Sequence, residues 1–241
     1  MKRALLRQPA GLGDILFTYK IAKKIIETKK ADIVYWPVNA QYVCIGNYIQ
    51  DDKIIFVNEN DEFPNKEVYN QDPYKIINTS ELLYVPLQRA DNIIPYNISA
   101  SNHPMYCKYE MIGLDFTDWQ EYLKIERNRD REIELEKYLK INSKNFNIVN
   151  KVFGTPPGTA VARSVPDISN AIEVENLSFD NPFDWCGLFE TAKEVHTVDT
   201  SFCYILAALN IKNVTVYSRN TVTDFGYIKR ILPSDWKYAS L

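Results

Sequence analysis

Short apolar runs alternate with longer segments of helical periodicity along the first half of this chain. Four of these runs have the length and the β-branched or aromatic content of buried strands, at residues 3–7, 32–36, 53–57 and 82–86. Between the first two runs, Ile15, Tyr19 and Ala22 fall on one stripe of a helix. The other side of this helix is predicted to face water and carries Lys20, Lys23 and Lys24. This order of strands and helices predicts a parallel sheet with helices on its faces.

The second half repeats the same pattern. A charged helix is predicted at about 129–139, where acidic and basic residues are expected to pair on the helix surface. Strands are predicted at 146–152 and 213–217, and residues 194–209 predict a strand, a turn and an apolar helix. Polar residues at 141–144 suggest a domain boundary. We therefore expect two domains, residues 1–142 and residues 143–241, the second of them small.

The loop after the first strand is the most informative segment. Gly11 and Gly13 allow a sharp turn and a close approach of the backbone to another molecule, and Asp14 then falls at the helix N-terminus. An aspartate at this position is either a ligand-facing carboxylate or a simple helix cap. The loop is not a dinucleotide fingerprint, because Leu16 stands where G-x-G-x-x-G requires its third glycine. No G-x-x-x-x-G-K-[ST] phosphate loop occurs either.

Gly11-Leu12-Gly13-Asp14, followed by an apolar helix, resembles the opening of the lipopolysaccharide heptosyltransferases, the glycosyltransferase family 9 group, and more loosely that of some fucosyltransferases. The resemblance implies an α/β fold of the GT-B type, with two Rossmann-like domains whose parallel sheets are flanked by helices. It also implies an acceptor-side N-terminal domain and a nucleotide-sugar-binding C-terminal domain. In that scheme Asp14 is the candidate general base, because transfer to a hydroxyl needs a nearby proton acceptor.

A second match lies at residues 194–209. The turn Asp199-Thr200-Ser201 and the alanine- and leucine-rich helix after it resemble a turn in the C-terminal domain of heptosyltransferases. The resemblance implies that these residues and nearby amides face the diphosphate of a sugar nucleotide, which agrees with the affinity of helix N-termini for anions. An ordinary threonine or serine cap is the alternative. Tyr204 stands where those enzymes carry histidine, so Tyr204 is a binding candidate and the donor stays open.

Further candidates lie near the expected carboxyl ends of the strands. Lys151, at the end of the strand 146–152, is a candidate for contact with the departing diphosphate, because a cation there would stabilise the developing charge. Each weaker candidate could equally be an ordinary surface residue. For acceptor contacts these are Arg89, Asp91, His103 and Tyr106, for phosphate contacts Thr155 and Arg163, and for the nucleotide ribose Asp184 or Glu190.

Composition narrows the class of protein. With 241 residues, 46% of them hydrophobic, and a net charge of −3, the chain offers no basic block for general binding of nucleic acid or an anionic membrane. No window approaches 18 uninterrupted apolar residues, so we expect a cytoplasmic protein without a transmembrane segment. The four cysteines form no C-x-x-C pair and just two histidines occur, which predicts reduced thiols and no metal site.

These observations lead to one hypothesis, a glycosyltransferase that moves a sugar from a nucleotide-diphosphate donor to a hydroxyl of a glycan or small-molecule acceptor. No D-x-D pair occurs, so amides and a cation are expected to neutralise the leaving group, with neither a metal nor a further cofactor. Two alternatives stay open. A catalytically inactive nucleotide-sugar or glycan-binding module would bind without turnover, and a nucleotide-sugar epimerase would convert the donor without an acceptor.

Overall fold

A computed structural model describes residues 1–89, 104–141, 145–154, 161–162, 165–174, 181–218, 225–226 and 228–239. Four candidate residues, Asp91, His103, Thr155 and Arg163, lie outside these ranges. The chain divides into two compact units, Met1–Glu126 and Arg127–Leu241. Each unit contains a sheet of mainly parallel strands together with helices, which confirms the predicted α/β class.

The first unit is built on a five-stranded sheet. Its strands are β1 Arg3–Leu6, β2 Ile33–Val38, β3 Ile54–Asn58, β4 Ile77–Asn78 and β5 Leu82–Val85. They lie in the order β3-β2-β1-β5-β4, and every neighbouring pair is parallel except β4 with β5. At the centre, Leu5 lies opposite Tyr35 on one side and Tyr84 on the other. The four strands predicted for this half are therefore confirmed.

Helices pack on both faces of this sheet because successive strand residues point to opposite sides. On one face, Leu5 and Tyr84 belong to an apolar cluster with Tyr69 of helix α2 (Lys66–Gln71). On the other face, helix α1 (Leu12–Glu27) approaches β5, where its Ile25 lines one cavity together with Leu83. The unit is completed by α3 (Pro104–Glu110) and by 3₁₀ helices at Ala40–Asn47, Leu87–Arg89 and Trp119–Tyr122.

The segment that follows α3 covers part of α1. Phe17 of α1 makes an edge-on contact with Tyr109 of α3, with ring centroids 5.0 Å apart. Lys20 is buried, and its Nζ lies 2.5 Å from the carbonyl oxygen of Asp115. The prediction that Lys20 faces water is therefore wrong. The helical period reveals the stripe that meets the sheet, but it cannot reveal a distant segment that folds over the opposite side.

The second unit contains its own five-stranded sheet. Its strands are β6 Asn147–Asn150, β9 Ala171–Glu173, β10 Glu194–Val198, β11 Val214–Tyr217 and β12 Lys237–Ala239. They are all parallel, in the order β12-β11-β10-β6-β9. A separate antiparallel pair joins β7 (Val152–Phe153) and β8 (Val161–Ala162). The helices are α4 Arg129–Tyr138, α5 Cys186–Thr191, α6 Ser201–Ala208 and α7 Ile228–Ile231, with a 3₁₀ helix at Pro182–Trp185.

The charged helix α4 belongs to the second unit. Arg131 binds both carboxylate oxygens of Asp184, with Nε 3.0 Å from Oδ1 and Nη2 2.8 Å from Oδ2. Asp184 is only 2% exposed, and Arg127 donates to Glu190 at 2.6 Å. The contacts therefore divide the chain before α4, and not after it as the polar residues near 142 suggest. Composition cannot show this, because the ion pairs join segments that are distant in sequence.

The Arg131 ion pair supplies a first test. Substitution of Arg131 by alanine leaves the buried Asp184 carboxylate without its bidentate partner, so we expect a loss of about 3 kcal/mol in the free energy of unfolding. Arg129→Ala is the matched control, because Arg129 pairs with Glu132 at 3.1 Å but is 64% exposed. The control should lose less than about 1 kcal/mol. Urea denaturation measures both values, and equally small losses would contradict the structural role given to Arg131.

Candidate functional site

The loop that carries Asp14 lies at the carboxyl end of β1. α1 begins at Leu12, so Gly11 is its N-cap and Asp14 lies in its first turn. Gly11 has a φ of 80°, in the region that favours glycine, and a Cβ added to it would lie 2.5 Å from Asp14 Oδ2. Gly11 therefore allows the Asp14 carboxylate to fold back over the start of the helix. Gly13 is already helical, so the turn itself depends on Gly11.

A buried lysine holds the Asp14 carboxylate. Nζ of Lys108, on α3, contacts Oδ1 of Asp14, and the Lys108 side chain is only 5% exposed. Sδ of Met105 lies 3.8 Å from the same nitrogen. A buried ammonium group requires a counter-charge, which Asp14 supplies. Because the Asp14 side chain is 37% exposed, the result is an oriented carboxylate with access to solvent.

Two arginines meet a single carboxylate at the same edge of the first sheet. Arg89 Nε donates to Oδ2 of Asp72 at 3.1 Å, and Arg7 Nε lies 3.0 Å from Oδ1 of Asp72. Arg7 directly follows β1 and Arg89 follows β5, so both leave the carboxyl ends of parallel strands. This small cluster therefore carries one more cation than anion, which is compatible with the expected role of Arg89 in binding an acceptor.

The second unit places Thr200 at the start of α6. Its Oγ1 accepts the backbone N–H of Phe202 at 3.3 Å and Nδ2 of Asn150 at 3.2 Å. A hydroxyl group has two acceptor positions and one hydrogen. With both acceptor positions occupied, the hydroxyl hydrogen of Thr200 is left to donate. A donor of this kind beside the first amides of a helix suits an anion such as a phosphate group.

Asn150, the last residue of β6, determines the direction of these hydrogen bonds. The Thr197 hydroxyl donates to the carbonyl oxygen of Val198 at 2.8 Å, so its oxygen accepts from Asn150 Nδ2 at 3.1 Å. The amide oxygen of Asn150 accepts the backbone N–H of Val152 at 3.3 Å. Both contacts require the same orientation of the amide, in which its NH₂ group points at the two threonines. The hydrogen-bond network thus defines Thr200 as a donor.

The other predicted residues near this turn differ in their access to solvent. Asp199 and Tyr204 are buried, whereas Ser201, the first residue of α6, is partly exposed. Lys151 follows β6 and forms an ion pair with Glu173 of β9. Thr200, Ser201 and Lys151 are therefore the members of the predicted set that a ligand in solvent can reach.

Three weaker candidates have structural roles instead. Tyr106 is buried and stacks on Phe116, with ring centroids 5.0 Å apart. Asp184 and Glu190 form the ion pairs that attach Arg131 of α4 and Arg127, two residues before α4, to the rest of the second unit. A carboxylate that already binds an arginine is a poor partner for a ribose hydroxyl.

Sequence reasoning missed both residues that orient the two turns. Lys108 stands as a basic residue within the apolar run 105–109, and Asn150 ends a buried strand, so each departs from its local pattern. Neither departure identifies a partner, because Lys108 and Asp14 are 94 positions apart and Asn150 and Thr200 are 50 apart. The Asn150 pair follows from the neighbouring positions of β6 and β10, whereas the Lys108 pair depends on the packing of α3 against α1.

The described part of the chain shows neither a metal-binding cluster nor a membrane-spanning helix. No group of three or more histidine, cysteine, aspartate or glutamate side chains in that part could hold a metal ion. No helix among the same residues is long and apolar enough to cross a membrane. None of the four cysteines forms a disulfide in the structure, and burial raises the pKa of the Cys186 thiol to about 12.

No protein-family model and no curated protein sequence matches this chain. The fold nevertheless resembles solved glycosyltransferases. A crystal structure of a family 9 glycosyl transferase from Veillonella parvula matches with a TM-score of 0.58 and 8% identity, over 99% of this chain and 87% of that one. E. coli heptosyltransferase WaaC with ADP matches with a TM-score of 0.51 and 10% identity, over 99% of this chain and 93% of that one.

A third structure, the iron-containing dodecameric glycosyltransferase TibC from enterotoxigenic E. coli, matches with a TM-score of 0.53 and 10% identity. This match covers 90% of this chain and 57% of that one. At such low identities the likeness is one of fold. This likeness in fold confirms the resemblance to glycosyltransferase family 9 that the two turns predict.

Gly11 offers a test of how the Asp14 carboxylate is placed. Gly11→Ala puts a side chain into a left-handed backbone conformation and against Asp14 Oδ2, whereas Gly113→Ala, at a φ of 69°, meets nothing within 4 Å. Both variants should lose roughly 1–2 kcal/mol of stability from the backbone, and Gly11→Ala should lose more. Asp14→Ala itself costs stability because it leaves Lys108 unpaired, but in that background Gly11→Ala should cost no more than Gly113→Ala. Equal losses for both glycines in thermal unfolding would show that the close approach is not formed.

Proposed function

We propose that this protein is a GT-B glycosyltransferase that transfers a sugar from a nucleotide-diphosphate donor to a hydroxyl group of a glycan or small-molecule acceptor. The observation that carries the proposal is the oriented Asp14 carboxylate, held by Lys108 at the first turn of α1. Its setting is a fold that resembles glycosyltransferase family 9. The first unit binds the acceptor and the second binds the donor.

In the proposed reaction Asp14 acts as the general base. Its carboxylate accepts the proton of the acceptor hydroxyl while that oxygen bonds to the anomeric carbon of the sugar. The bond from the anomeric carbon to the diphosphate breaks, and the diphosphate leaves with the electron pair. Lys108 contacts one carboxylate oxygen and limits the rotation of the group. The other oxygen is then presented to the acceptor in a defined direction.

The donor site is proposed at the start of α6. The Thr200 hydroxyl donates to a phosphate oxygen, and the hydroxyl and backbone N–H of Ser201 add further donors at the start of α6. Asp199 and the Tyr204 ring help to shape this site from buried positions. Lys151 leaves its ion pair with Glu173, binds the diphosphate and stabilises the charge that develops on it. In this scheme the leaving group is neutralised without a metal ion.

Nucleotide binding is the first measurement. A thermal-shift screen with ADP, GDP, UDP, CMP and dTDP and their sugar conjugates, with and without magnesium, should show selective stabilisation by one nucleotide. Ligand at 100 times its dissociation constant stabilises a protein by roughly 2.7 kcal/mol, which is easily seen. Thr200→Val removes the hydroxyl at nearly constant volume and should weaken that shift. Thr215→Val, on β11, is the control. No shift with any nucleotide would weaken the assignment to a glycosyltransferase.

Turnover tests the role of Asp14. Asp14→Asn keeps the shape of the side chain but removes the proton acceptor, so transfer should fall by at least about 100-fold while nucleotide binding stays intact. Asp52→Asn, at an exposed position in the same unit, should keep full activity. If Asp14→Asn folds normally and retains full turnover, Asp14 is not the base.

The same assay separates the two alternatives. A catalytically inactive module would give a selective thermal shift and no consumption of the donor with any acceptor. An epimerase would convert the donor when no acceptor is present. Product analysis in the presence and absence of acceptor therefore distinguishes all three activities.

A further inference from the structure

A cavity of about 300 Å³ lies in the first unit, at the opposite end of α1 from Asp14. It is bounded by the last turns of α1, by β5 and by the segment after α3, and Lys2, just before β1, also lines it. The catalytic carboxylate lies beyond the other end of β1, after its carboxyl terminus. This cavity is therefore distinct from the proposed acceptor and donor sites.

The walls of the cavity are mainly apolar. Ile25 of α1 faces Leu83 and Val85 of β5, and Ile112 and Leu114 close the third side. No aromatic ring occurs among the described residues that line it. Sugars and nucleobases commonly bind by stacking on such rings, so this lining favours an aliphatic chain over either of them.

The rim of the cavity is cationic. No described residue that lines the cavity is acidic. Four lysines line it: Lys2, Lys24, Lys29 and Lys30. Lys24 pairs with Glu27 at 2.8 Å, whereas the Nζ of Lys2 donates to the neutral amide oxygen of Asn78 at 2.6 Å. The Asp32 carboxylate accepts the backbone N–H of Lys2 at 2.6 Å. Asp32 and Glu27 together therefore offset only part of the charge of the four lysines, and the rim stays positive in a chain whose net charge is −3.

We propose that this cavity binds a single-chain anionic amphiphile, a medium-chain carboxylate whose aliphatic chain fills the cavity and whose head group meets the lysines. Burial of the chain supplies the affinity, and the lysines select the charge. An inorganic anion would leave the apolar walls in water, and a neutral lipid would leave the lysines without a partner. The cavity is at the small end of the usual range for ligand pockets, about 300–1,000 Å³, so it suits one chain.

Lys29 makes a clean test possible. It directly follows Thr28, the C-cap of α1, and has a φ of 55°, a left-handed conformation that glycine adopts more readily. Lys29→Gly should therefore remove the rim charge without harming the fold. Lys140 occupies the same position after Leu139, the C-cap of α4, with a φ of 51°, and it does not line the cavity. Lys140→Gly is thus a matched control for backbone and charge.

The experiment is calorimetric titration of the full chain with decanoate, with acetate and with decanol. The unmodified protein should bind one decanoate, show no binding of acetate, and bind decanol at least tenfold more weakly. The double variant Lys29→Gly with Lys30→Gln should bind decanoate at least tenfold more weakly at unchanged or higher thermal stability. Lys140→Gly should bind it with unchanged affinity.

Several results would overturn the proposal. These are no saturable binding of decanoate, equal affinity for decanoate and decanol, or undiminished affinity in the Lys29 and Lys30 variant. Sedimentation with phosphatidylglycerol vesicles checks the source of the ligand. If the protein binds these vesicles and not decanoate, the lysines form a membrane contact and the cavity is not a site for a free amphiphile. None of these results depends on whether the protein transfers sugars.

Discussion

A charge that leaves water must find a counter-charge inside the protein, and this requirement fixes the parts of the structure that apolar packing leaves free. Lys108 is buried on α3, so Asp14 must meet it, and the first turn of α1 is thereby tied to a segment far along the chain. Asp184 is buried beside α5, so Arg131 must meet it, and α4 is drawn into the second unit. Apolar side chains favour the packing of these helices, and the ion pairs determine where each helix packs.

The same distinction explains what the sequence could predict. The two strand–turn–helix segments and the strands β1, β2, β3, β5, β6, β10 and β11 follow from apolar period and turn residues, which are local signals. The short strands β4, β9 and β12, of two or three residues each, were not predicted. Lys20, Lys108 and Asn150 were not predicted correctly because their roles depend on partners outside their own elements. The division of the chain before α4 has the same origin, since its ion pairs outweigh the change in composition near residue 142. Helices and strands can therefore be predicted from local sequence, whereas the partners of side chains cannot.

The likeness in fold to glycosyltransferases at 8–10% identity has a physical basis as well. Many apolar sequences satisfy a parallel sheet flanked by helices, so the fold places few demands on individual side chains. The proposed chemistry places strong demands on a few of them. Gly11 must allow a left-handed turn, and Thr200 must present a hydrogen. The proposed function therefore depends on these residues, and the fold indicates where in each unit they lie.

The two turns also differ in a way that suits group transfer. At the first turn, a carboxylate is held so that it can accept a proton. At the second, Asn150 occupies the acceptor capacity of Thr200, so that the hydroxyl can only donate. A nucleophile must lose a proton and a departing diphosphate must gain hydrogen bonds, so a transferase needs both polarities. Thr200 is also the N-cap of α6, but a cap needs one acceptor position only, and here Asn150 occupies the second and leaves the hydrogen for a ligand.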